Sequence, residues 1–166
     1  MTRMHPHPGG IVHHLSGPVG EGLALLVARL ALASVFWRAG RSKVVEGTWL
    51  QISDGTRYLF EHEYAGVPLL PPELAAQLAT WAEFGLPLLL VIGLGSRLAA
   101  TGLLGMSAVI QAFVYPDAWP VHLVWAGLAL VLISRGSGLF SFDAVLARRA
   151  RGRAGTADAA TRPRTT

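Results

Sequence analysis

The chain has 166 residues, 52% of them hydrophobic and 14% charged, against about 25% charged in an ordinary soluble domain. A mean hydropathy of +0.44, with the charges gathered outside a few apolar blocks, excludes an ordinary soluble globule and implies an integral membrane protein. The net charge of +4 does not imply nucleic acid, because six arginines fall in residues 141–166, where a basic tail beside anionic lipid accounts for them.

Residues 1–21 are polar and broken by Gly and Pro, and read as a disordered cytoplasmic extension. They carry His5, His7, His13 and His14, and His-rich tracts can bind metal. Gly22–Gly40 is the first apolar block and reads as an uncleaved signal-anchor. At the helical period Arg29, Phe36, Gly40 and Lys43 share a face. Arg38 points nearly opposite Arg29 and can snorkel to the interface. Residues 41–73 form a long outer loop whose Trp49, Tyr58, Phe60 and Tyr64 suit the membrane interface. A short helix is expected over Asp54–Glu63, with Asp54 its N-cap. Pro71 and Pro72 fit a helix start, where no N–H is needed.

The second span is predicted over Glu73–Leu94, with Pro87 inside it, and Gly93–Arg97 forms a tight turn. The third runs Leu98–Tyr115, with Gln111 its strongest polar group and small residues Gly102, Gly105, Ala108 and Ala112 for close contact. After a Tyr115–Pro120 turn, the fourth runs Val121–Phe140, with His122 at its start. Ser141 then caps a short helix, Asp143–Arg151, that can lie on the membrane surface. The fold class is therefore all-α: an integral membrane four-helix bundle, with a long outer loop between helices 1 and 2 and a short C-terminal interfacial helix. The membrane domain covers 22–147, between the tail 1–21 and a basic, disordered tail 148–166. Arg97, Arg135 and the Arg148–Arg153 cluster put both termini in the cytoplasm of a bacterial inner membrane, although Arg41 and Lys43 count against this.

Glu83 is the only charged residue of Leu74–Val91. A carboxylate at membrane depth is costly unless paired, neutralised or wetted. Arg29 and Arg38 bracket its level as counter-ions, and Gln111 and His122 lie toward the outer end. Arg29, Arg38, Lys43, Glu83, Gln111 and His122 thus form a candidate intramembrane polar site. Two readings stay open: a buried ion pair that fixes helix register, or a site for a polar headgroup, a quinone or an ion. Trp37, Trp81 and Trp125 are interface anchors or contacts for a planar ligand. Glu61, His62, Glu63, Asp117 and His122 offer carboxylate and imidazole ligands for Cu(II) or Zn(II), at a spacing that is not diagnostic. With no cysteine, a disulfide relay, a thiol nucleophile and a thiolate metal site are excluded within this chain. No phosphate loop, nucleophile elbow or zinc signature occurs, and no catalytic residue is assignable.

Several motifs together resemble the DoxX family of small bacterial four-helix membrane proteins. They are Arg29, Phe36, Gly40 and Lys43, the run Ala82–Pro87 continuing through Gly93–Ala100, and Gly138–Leu146. Phe60–Pro72 and Val109–Trp125 are similar to the subgroup found beside maturation genes for copper-binding peptides. The narrower resemblance implies an accessory role in copper handling or peptide maturation. The wider family implies envelope redox work, as a subunit of a quinone-linked oxidoreductase rather than an enzyme alone. Quinone or copper is the expected ligand, and the lipid bilayer, redox or maturation proteins and further copies of the chain are the expected partners. A small-solute transporter built as an oligomer is a further alternative.

Overall fold

The computed structural model describes residues 17–67 and 70–161. The four N-terminal histidines lie outside the described residues. Among the described residues there are six α-helices: α1 Pro18–Lys43, α2 Asp54–His62, α3 Pro72–Ile92, α4 Ser96–Phe113, α5 Trp119–Arg135 and α6 Phe142–Thr161. Among the described residues there is no strand, only an isolated antiparallel bridge between Val44 and Ile52.

Local chemistry sets the helix ends. Proline stands in the first turn of α1, α3 and α5, where its missing N–H leaves no bond unmade. The Ser53 side chain accepts from the Thr56 N–H, so Ser53 is the cap of α2 and Asp54 is its first helical residue. Gly93 ends α3 at φ +74°, a conformation that a side chain disfavours. The fourth span stops at Arg135 instead of Phe140, because Gly136 and Gly138 both adopt positive φ and turn the chain back. α6 runs past the Asp143–Arg151 stretch expected from the sequence.

α1 packs against α3 and α5, and α4 packs against the same two, so the four long helices close a ring. Leu25, Leu32, Phe36, Leu90, Leu103 and Leu132 fill its centre beside small Ala33, Ala99, Ala100 and Ala129. The outer faces are apolar instead of charged, with Val27, Leu98, Leu123 and Val124 more than half exposed. α1, α3 and the stretch Pro116–Arg135 are long and apolar enough to cross a membrane. α4 carries Arg97 and Gln111 yet completes the bundle by packing. The chain is an all-α membrane protein.

The two ends of the bundle are built differently. At the terminal end Arg29 is fully buried. It donates to the carbonyls of Leu90, at 3.1 Å, and of Phe140. Asp143 accepts from the Gly95 N–H at 3.0 Å while its own N–H donates to Gly93 O. These bonds tie α1, the α3–α4 turn and the start of α6 together. At the loop end Lys43 O accepts from both Ser53 N and Thr56 Oγ1. The last carbonyls of α1 are thus capped by the first turn of α2, and α2 lies against α3.

Candidate functional site

Lys43 is the only lysine of the chain, beside thirteen arginines. It ends α1, and its Nζ lies 2.8 Å from Glu83 Oε1 on α3, with both side chains buried. The approach depends on Gly40. A Cβ there would sit 3.2 Å from Glu83 Cβ and 3.4 Å from its backbone. Without one, α1 and α3 come close enough for the lysine to reach.

The counter-ion of Glu83 is therefore neither of the arginines expected from the sequence. Arg29 is committed to carbonyls at the terminal end. Arg38 is exposed on α1 and lines a separate groove with Leu30, Trp37, Pro87 and Leu88. Depth explains the difference. Glu83 stands beside Gly40, within the last turn of α1, whereas measured from its own helix start it appeared deep. α3 begins beyond the end of α1, under the cover of α2.

Glu83 Oε2 is buried and has no hydrogen-bond partner among the described residues. Two cavities meet at the ion pair. The larger, about 290 Å³, runs between α3 and α4 and is lined mainly by apolar side chains, including Leu78, Ala82, Met106 and Val109. The smaller, about 150 Å³, is bounded by Tyr64, Tyr115, His122, Trp125 and Phe36. Lys43, Glu83, Tyr64 and Ile110 line both.

Gln111 and His122 join this site indirectly. His122 Nδ1 lies 2.6 Å from Gln111 Oε1, and Gln111 Nε2 donates to Pro116 O at 2.6 Å. Of the three tryptophans, Trp125 lines the small cavity with His122. Trp37 packs edge-on against Phe84 outside it, and Trp81 is exposed. Tyr64, Tyr115 and Phe60 belong to the walls, although the sequence offered Tyr64 and Phe60 only as interface anchors and Tyr115 only as the start of a turn. Tyr115 donates to Glu63 Oε2 at 2.7 Å and stands edge-on to Tyr64. Burial raises the Tyr64 phenol to about 12, with the neighbouring Tyr115, Glu83 and Glu63 adding to it. The hydrogen bond to Glu63, then burial, raises Tyr115. Both phenols therefore stay protonated donors at neutral pH.

The five proposed metal ligands do not assemble. His62 Nδ1 bonds Tyr58 O and its ring stacks on Tyr58. Glu63 accepts from Tyr115, His122 is held by Gln111, and Glu61 and Asp117 are exposed. Among the described residues no three His, Asp or Glu side chains come together as a metal site. Lys43 offers N–H donors, Glu83 Oε2 is a buried acceptor without a partner among the described residues, and an apolar groove adjoins them.

Residues 24–116 match the model of the DoxX family. An uncharacterized protein of Haemophilus influenzae is 26% identical over 137 residues, spanning 77% of this chain and 86% of its own length. No solved structure matches. The matched segment takes in α1 to α4, with Arg29, Gly40, Lys43, Glu83 and Gln111, and it stops before His122. With more than half of its length inside the match, this chain belongs to the DoxX family.

Proposed function

We propose that the protein is an accessory subunit for envelope redox chemistry in a bacterial inner membrane, and that it binds a quinone headgroup at Lys43 and Glu83. The observation that carries this is the buried Glu83 Oε2, without a partner among the described residues and lining an apolar groove. A buried polar atom is rarely left unsatisfied, and an ionisable group inside a membrane protein marks a functional site by default. Lys43 Nζ would donate to a carbonyl of a bound quinone and Glu83 Oε2 would accept from a hydroxyl, with the apolar lining Leu78, Met106 and Val109 beside them.

A bound quinone supplies two-electron, two-proton redox chemistry. The chain has no cysteine, so no thiol couple within it supplies the electrons. Copper handling, which the narrower resemblance implies, has no comparable support: among the described residues its candidate ligands do not come together as a site.

The test is a ligand census on protein purified in mild detergent, with extractable quinone and metal measured on one sample. Near-stoichiometric quinone is expected, and both Glu83→Gln and Lys43→Met should lose it. Copper without quinone, or quinone retained in both variants, would overturn the reading.

A further inference from the structure

The small cavity gives His122 a role that the quinone reading does not assign. The amide orientation of Gln111 is fixed, because Pro116 O can only accept, so the atom 2.6 Å from it must be the Gln111 nitrogen. The Gln111 oxygen therefore faces His122. Two acceptors cannot share a bond of 2.6 Å, so His122 Nδ1 carries the proton and donates it. In neutral imidazole that leaves Nε2 bare, as a base. His122 is 7% exposed and lines the same cavity as Glu83. The polar groups facing that space are Lys43 from α1, Glu83 from α3, Tyr64 from the loop, Tyr115 before α5 and His122 itself. At about 150 Å³ the cavity has room for several waters. Tyr115, which lines it, is 43% exposed.

We infer that His122 is the proton-exchanging base of the Lys43–Glu83 site, with Gln111 the positioning residue that fixes its tautomer. The inference deepens the quinone reading and rests on it for its biological purpose. A proton that reaches Glu83 Oε2 passes through cavity water to His122 Nε2. The carboxyl returns to carboxylate, the imidazole becomes imidazolium, and no electrons move. The imidazolium then releases the same proton from Nε2 to water at the Tyr115 wall. Nδ1 keeps its own proton on Gln111 throughout.

The test uses nuclear magnetic resonance on the full chain in detergent micelles, without added quinone. Histidine labelled with ¹⁵N should show His122 as the Nδ1–H tautomer, with its signal identified by loss in His122→Asn. Gln111→Leu should abolish that preference. Labelled lysine gives a single side-chain signal, because Lys43 is the only lysine. Hydrogen exchange at its ammonium reads proton traffic in the site. His122→Asn enlarges the cavity and removes the base, so exchange should slow by at least about tenfold. A purely structural histidine would give unchanged or faster exchange, since the hole admits more water. An Nε2–H tautomer in the wild type, or unslowed exchange in His122→Asn, overturns the inference. The tautomer needs no variant, so misfolding of His122→Asn leaves it decisive. If these results hold and the census finds no quinone, the quinone reading alone fails.

Discussion

At the residue scale, the Lys43–Glu83 pair determines how this protein responds to substitution. Removing one partner of a buried pair strands the other charge and costs about 3–5 kcal/mol, whereas replacing both with apolar side chains is often neutral. Lys43→Met and Glu83→Leu are each expected to lower stability in that range. The double variant should recover most of the loss while still failing to hold quinone. Thermal unfolding in detergent measures all three. A double variant as unstable as either single one would mean that the pair fixes the α1–α3 contact through more than charge. Tyr64 gives a second prediction at this scale. In the folded chain it keeps its proton up to about 12, while an unperturbed tyrosine ionises near pH 10. Between those values the folded state binds more protons than the unfolded state. The contribution to stability is thus complete below about pH 10 and is lost as pH rises toward 12. A phenolate absorbance titration should lose its latest ionisation in Tyr64→Phe, while the raised Tyr115 remains. A titration in which all tyrosines ionise together near pH 10 would contradict the packing of Tyr64.

At the scale of elements, the close approach of α1 to α3 is set by Gly40, the position beside Glu83. Gly40→Leu is expected to force the helices apart, at about 1–3 kcal/mol for an overpacked contact, and to lift Lys43 from Glu83. Gly105→Leu is the control, because no atom lies within 4 Å of a Cβ there. Quinone retention and unfolding temperature should fall together in the first variant and hold in the second. Equal losses in both would remove Gly40 from its role. The face that carries Arg29, Phe36, Gly40 and Lys43 was legible in the sequence, and all four are buried. Periodicity reports direction around a helix and says little about the level at which helices meet. Arg29 and Lys43 share a face yet serve opposite ends, one bonded to Leu90 O and the other to Glu83. The partner of Glu83 was therefore out of reach, although a chain whose one lysine sits at that position did carry a hint. The roles of Tyr64 and Tyr115 depend on a loop folding back over the bundle, and local pattern does not encode that.

At the scale of the molecule, the charge asymmetry between the two ends becomes clearer once engaged charges are set aside. The sequence places Arg41, Lys43 and Arg57 at the loop end, against the expected orientation. Each is bound there: Arg41 donates to Thr48 O and lies over Trp49, Lys43 is buried on Glu83, and Arg57 pairs with Glu73. At the terminal end Arg135 is likewise bridged to Glu21 and Arg97 donates to Ser134 O, and Arg151 lines their cleft with Asp143. Arg148 and Arg149 follow on exposed positions of α6. Positive charge near the ends of short loops sets orientation, so the terminal end is expected to face the cytoplasm. The absence of native cysteine makes this directly measurable with single substitutions at exposed sites. In intact cells a membrane-impermeant maleimide should label Glu46→Cys and Asp117→Cys, and should label Ala150→Cys only after the membrane is opened. Labelling of Ala150→Cys from outside would invert the orientation. Labelling of Glu46→Cys and Asp117→Cys from opposite sides would break the bundle itself, because both positions lie at the loop end only if α3 and α4 together cross and return.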